Sequence, residues 1–197
     1  MTALLPRLLD PGVLPLSELL ALCLDGQLYR VGEAFATLDT PESVALRAEA
    51  FSLSAPRGTI ADRGTAAWIH GTRPEPPARV QVCVDATRRG GRLPSEVDGR
   101  ECILAAGDTV RIGGVLVTSA ARTAMDLLLT EKQFPRERAE EVRRLLDLSH
   151  EDAQSLARRL RRRPRPGSAR GIERLDRVAS ALSESPVGQP ALTRYTS

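Results

Sequence analysis

Apolar and polar positions along this chain follow two different periods, and the places where the period switches mark its elements. Leucines in 16–25 recur every three to four residues, which predicts a helix stopped by Gly26. Leu4 to Leu9 predicts a shorter helix before it, with Pro11 and Gly12 as the turn between them. Gln27 to Val31 and Ala34 to Leu38 read as two strands of a hairpin joined at Gly32-Glu33. Thr40-Pro41-Glu42 is the expected start of the next helix, with a capping hydroxyl, a proline in the first turn and an acid near the positive dipole end. Val44, Ala45, Ala48 and Phe51 then face a core, Pro56-Arg57-Gly58 ends the helix, and Gly64 to His70 forms another short one.

The stretch from Gly71 to Pro77 holds three prolines, cannot be regular helix and serves as a connector. Beyond it, Arg79 to Asp85, Glu101 to Ala105, Thr109 to Ile112 and Val115 to Thr118 predict a four-stranded, mainly antiparallel sheet. Ser119 caps the helix that follows, whose apolar residues are Ala121, Ala124, Met125 and Leu128. Three more apolar stripes come after it, through Ala139 to Leu146, Ala153 to Leu160 and Ile172 to Leu182, with Ser149 to Asp152 as a variant capping box before the second. A sheet followed by a run of helices predicts an α+β fold: a small unit at 1–38, a core domain at 40–182 and a loose tail at 183–197.

Length and apolar content suffice for a packed core, which the scarcity of aromatics requires to be built from Leu, Val and Ala. No apolar run approaches the roughly 20 residues of a membrane span, and the N-terminus lacks a secretory pattern, so the cytoplasm is the expected location. Cys23, Cys83 and Cys102 are far apart in the chain, form no C-x-x-C pair and have only His70 and His150 as imidazole company. Three reduced thiols are therefore expected, with no metal and no cofactor.

The segment GGVLVTSAARTAMDL, residues 113–127, runs from strand into helix and places Arg122 and Asp126 on one helix face. An exposed pair at that spacing is worth only about 0.2 to 0.5 kcal/mol. A structural bridge and a functional charge are the two readings. Upstream, Trp68 and His70 read either as a packed indole with a hydrogen-bonded imidazole or as a ligand-binding pair. Together with Ala66-Ala67-Trp68-Ile69-His70-Gly71, the pattern G-V-x-V-T-x-x-x-R-T-x-x-D-L, with Arg122, Thr123 and Asp126 at its end, resembles the AbiEi-type antitoxins of type IV toxin–antitoxin systems. The resemblance spans about residues 14 to 182. It implies a non-enzymatic, DNA-associated regulator that opposes a nucleotidyltransferase-like toxin without a stable complex.

The same resemblance extends to DGQLYRVGEAFATLD, which is similar to the second half of a winged helix-turn-helix and implies Arg7, Gln27, Tyr29 and Arg30 as the DNA side. Charge argues against it. Two arginines stand against Asp10, Glu18, Asp25 and Glu33 in residues 1–38, a formal −2 that phosphates would repel. A degenerate remnant that binds protein is the alternative reading of this unit.

Positive charge is concentrated at the other end. Residues 157–177 hold nine arginines, among them Arg158, Arg159, Arg161, Arg162, Arg163 and Arg165, against Glu173 and Asp176, for a net +7 in a chain of net +3. The run either offsets the negative end of a helix dipole and keeps the protein soluble, or contacts phosphates or an acidic partner. Aromatic residues for base stacking are missing nearby, so a nucleic-acid contact here would be to the backbone. A second basic stretch, Arg88-Arg89-Gly90-Gly91-Arg92, lacks the lysine and hydroxyl of a phosphate-cradling loop. Neither a metal-nuclease set nor a nucleophile motif is evident, and no enzymatic activity is expected.

Overall fold

The computed structural model describes residues 6–87, 93–162 and 164–180, and within them the chain is α+β. Helix α1 (Leu16–Leu24) leads into a hairpin of β1 (Leu28–Val31) and β2 (Ala34–Thr37), in register from Leu28 opposite Thr37 to Val31 opposite Ala34. The two-residue turn at Gly32-Glu33 has Gly32 at φ 63°, the conformation that tight hairpins demand. The helix expected over Leu4 to Leu9 is not formed at 6–9: Leu9 instead bridges Phe35 as a third extended segment beside the hairpin. Two backbone hydrogen bonds to Phe35 outcompete a helix of fewer than about two turns. Residues 1–5 lie outside the described residues.

Helix α2 (Val44–Ser54) is capped by Ser43, whose hydroxyl accepts from the Leu46 amide, and not by Thr40. Pro41 disfavours helical geometry at the residue before it, which leaves Thr40 in the approach segment. There its carbonyl accepts from the Tyr29 hydroxyl at 2.7 Å and its own hydroxyl pairs with that of Thr37.

β3 (Ile60–Ala61), α3 (Arg63–Ile69), β4 (Gln81–Asp85), β5 (Asp98–Cys102), β6 (Thr109–Ile112) and β7 (Val115–Thr118) follow. They build a five-stranded sheet in the order β5-β4-β3-β7-β6. The expected mainly antiparallel sheet is corrected to a mixed one: β3 runs antiparallel to β4 but parallel to β7, β4 and β5 are parallel, and β6 and β7 are antiparallel. Two residues are too short to carry a period, so β3 left no pattern to read, although it is the centre of the sheet. The strand expected at Glu101 to Ala105 lies earlier, at Asp98–Cys102. Ile103 is 72% exposed, while the residues that do pair include Asp98 and Arg100, engaged in ion pairs.

Helices α4 (Ala120–Thr130), α5 (Arg136–Ser149), α6 (Ala153–Arg162) and α7 (Ser168–Ser180) complete the chain. Ser119 caps α4 through the Arg122 amide, and Asp152 precedes α6 with its carboxylate on the Ser155 amide. One core cluster joins the hairpin, α2, α3 and the sheet through Val31, Ala36, Leu46, Trp68, Val82 and Val117. Residues 6–38 therefore give Leu8, Val31, Ala34 and Ala36 to this core, while Leu9, Leu19, Leu28 and Phe35 form a small cluster of their own. A second cluster packs α4 against the three helices after it through Leu127, Leu128, Val142, Leu145, Leu156 and Leu175. No helix among the described residues is long and apolar enough to cross a membrane.

Candidate nucleic-acid interface

The two sequence motifs meet in space. His70 ends α3 and its Nε2 lies 2.8 Å from the carbonyl oxygen of Thr118, at the end of β7. The Thr118 and Thr123 hydroxyls are 2.7 Å apart, and the Thr123 hydroxyl also donates to the Thr118 carbonyl. Burial pulls the His70 imidazole below its usual range, against the opposing effect of its bond to Thr118. Trp68 is buried on the same helix, with its ring edge against Gly32 of the hairpin and the Arg47 guanidinium 5.7 Å from its centroid. These are packing and hydrogen-bonding roles.

Arg122 and Asp126 are not an exposed pair. Both are buried, and they belong to a chain of alternating charges that runs between the sheet and α4. Asp98 meets Arg63 at 2.9 Å, Arg63 meets Asp62 at 3.2 Å, Asp62 meets Arg100 at 2.5 Å and Arg100 meets Asp126 at 2.9 Å. From there Asp126 meets Arg122 at 2.8 Å and Arg122 meets Asp108 at 2.5 Å. Burial pulls the Arg100 guanidinium down, but hydrogen bonding and charge from Asp62, and then the charge of Asp126, reverse this and hold it above its usual range. Asp126 is pushed up by burial and by the Asp62 carboxylate, while two guanidiniums within 2.9 Å keep it in an ion pair. Arg63, at φ 46°, is held in the left-handed region with its guanidinium on Asp62 and Asp98. The network fixes α3 and α4 to the sheet; each interior charge has two opposite neighbours, which offsets the cost of removing them from water.

The residues that the family resemblance assigns to DNA differ in how free they are to meet it. Arg7 and Gln27 are exposed. Arg30 is turned back on its own hairpin, donating to the Gly32 carbonyl and to both oxygens of Glu33 at 3.0 Å. The Tyr29 hydroxyl is used by Thr40, and burial followed by the Glu42 charge raises it above its usual range. Helix α1, where a reading helix would lie, instead exposes Leu16, Leu20 and Leu24.

Helix α6 is amphipathic. Leu156, Ala157 and Leu160 are buried, and Arg158, Arg161 and Arg162 form an exposed stripe on the far side, three and four residues apart. Arg158 donates to the Ser155 hydroxyl, and no carboxylate pairs with Arg161 or Arg162 among the described residues. Arg159 sits to one side and pairs with Glu151 at 3.2 Å. Arg165 is half-buried in the turn to α7, and Arg163 lies outside the described residues, as does the 88–92 loop. Arg174, part of the same run in sequence, is buried: it donates to the carbonyls of Leu128 and Glu131 at the end of α4 and lies 5.0 Å from the Phe134 ring centroid. That arginine is a helix cap and not a ligand contact.

Among the described residues one group could hold a metal ion, Asp62, Cys83 and Cys102, whose ligand atoms lie within 4.8 Å of one another. Both Asp62 oxygens already accept from Arg63 and Arg100, which leaves the carboxylate no free lone pair for a cation. The two cysteines, far apart in sequence, are neighbours because β4 and β5 are paired in parallel, a pairing the sequence pattern did not reveal. Comparison with models of known protein families finds none that matches this chain, and comparison with curated proteins finds no match.

Proposed function

We propose that this chain is a non-enzymatic regulator that binds duplex DNA by its phosphate backbone, through the exposed face of α6, and acts as the antitoxin of a type IV pair against a nucleotidyltransferase-like toxin. The observation that carries the DNA reading is the stripe of Arg158, Arg161 and Arg162, solvent-facing, with Arg158 near the Asp152 charge and with no carboxylate paired to Arg161 or Arg162 among the described residues. Guanidiniums bind phosphates through a planar fork of donors and stay charged at any physiological pH. The stripe lies toward the C-terminal end of α6, where the backbone dipole disfavours phosphate, so the side chains must supply the attraction and the contact reads no sequence. The antitoxin part rests on the resemblance of residues 113–127 and 66–71.

Salt titration of binding to the upstream DNA and to an unrelated duplex tests this. Changing Arg158, Arg161 and Arg162 to alanine should flatten the plot of log affinity against log salt by about 3, since each neutralised phosphate contributes roughly 0.9. An unchanged slope, with binding lost instead on Arg7→Ala, would return the contact to the N-terminal unit. Growth rescue on co-expression with a nucleotidyltransferase-like toxin tests the antitoxin role.

A second reading, a protein-interaction module with a decayed DNA-binding unit, is favoured by α1. Its Leu16, Leu20 and Leu24 are 51%, 44% and 89% exposed, a surface suited to an apolar partner and not to phosphate.

A further inference from the structure

Cys83 and Cys102 are brought together by the β4–β5 pairing. Cys83 is opposite Arg100 and Cys102 opposite Asp85, so the two thiols are two positions apart on one face of adjacent strands. Their sulfur atoms lie within 4.8 Å of each other, in a small apolar cluster with Ile60. β5 is an edge strand and Cys102 is its last residue, 6% exposed, whereas Cys83 on the inner strand is fully covered.

We propose that Cys83 and Cys102 are a modification site, a dithiol that a hydroperoxide converts to an intrachain disulfide. The proposal is independent of the DNA reading. Cys102 is the attacking group. The Cys83 thiol as hydrogen-bond donor, and the Arg100 guanidinium beside it, lower Cys102 against the opposing effect of burial. Cys83 is raised, by the same hydrogen bond, by burial and by the charge of Asp62, and so stays protonated as the resolving thiol.

The Cys102 thiolate attacks one peroxide oxygen; an S–O bond forms, the O–O bond breaks, and the departing oxygen takes a proton to leave as water when the peroxide is hydrogen peroxide. Cys83 then attacks the Cys102 sulfur of the sulfenic acid. An S–S bond forms, the S–O bond breaks, and hydroxide leaves with the Cys83 proton as a second water. Two thiols and one peroxide give one disulfide and two waters. Closing the gap to about 2.05 Å needs side-chain rotation and a shift of the strand end, which an edge strand paired on one side permits.

The test uses the full chain with Cys23→Ser, so that one dithiol remains. One equivalent of hydrogen peroxide should remove both thiols together and give a cross-linked Cys83–Cys102 peptide by mass spectrometry, reversed by reductant, with the far-ultraviolet circular dichroism unchanged. Cys83→Ser should stop at a Cys102 sulfenic acid that a cyclic dione traps. Cys102→Ser should slow loss of the remaining thiol by more than about tenfold, because Cys83 is fully covered on the inner strand. Thiols lost independently without a cross-link, a sulfenic acid first at Cys83, or a cross-link that forms only as the protein unfolds would each overturn the proposal. So would stoichiometric zinc retained by the purified protein and released only when both thiols are modified.

Discussion

Loss of the Arg122 guanidinium would leave buried Asp126 dependent on Arg100 alone within the network and would deprive Asp108 of its cation. Breaking a buried pair on one side costs about 3–5 kcal/mol, because the remaining charge stays out of water. Arg122→Leu should therefore lower the urea unfolding free energy by that amount. Arg122→Leu with Asp126→Leu should cost less than Arg122→Leu alone, since Arg100 keeps Asp62; equal losses would mean the charges are not coupled. His70 gives a second prediction, in pH. Its folded value lies below the ordinary imidazole value of about 6.5, so the unfolded chain takes up the proton first. The stability it contributes is present above that value and is lost as pH falls below it. The thermal midpoint should drop between pH 7.5 and 5.5, and His70→Gln should flatten the drop; a variant with the same slope as the parent would place the effect elsewhere. Helix spacing made the Arg122–Asp126 pairing legible, but not its worth: exposure separates a bridge of a few tenths of a kcal/mol from one of several, and periodicity does not report which face of the pair another element covers.

Elements with a long period were readable. The hairpin at Gly32-Glu33, the cap at Ser119 and the helices beyond it follow from turn chemistry and three-to-four spacing. Those fixed by partners were not: β3 is two residues long, and β5 hides its pattern behind ion-paired Asp98 and Arg100. Where one element meets another, a single residue tests the packing. Gly167, in the turn between α6 and α7, has φ 86°, and a Cβ there would lie 2.9 Å from the Leu129 carbonyl oxygen. Gly107 has a similar φ of 87° and open space around it. Gly107→Ala should cost only the left-handed backbone term, about 1–2 kcal/mol. Gly167→Ala should cost more, roughly 3 kcal/mol, because α7 must also move away from α4. Equal unfolding free energies for the two variants would show that the turn relaxes freely.

Charge belongs to the whole molecule, which carries its basic pole at α6 and α7 and a net −4 elsewhere. If three phosphates are neutralised at that pole, affinity for duplex DNA should fall about 40-fold between 50 and 200 mM salt. A flat response would remove the arginine face from the account. Composition and order alone determined the α+β class, the hairpin, the four C-terminal helices and the polarity of charge, because these depend on local periodicity and on counts that folding does not change. Tertiary structure alone decided the mixed strand order, the burial of Arg122, Asp126 and Arg174, and the meeting of Cys83 with Cys102. Each of these depends on which distant segment covers or pairs with a residue, and a one-dimensional pattern holds no record of its partner.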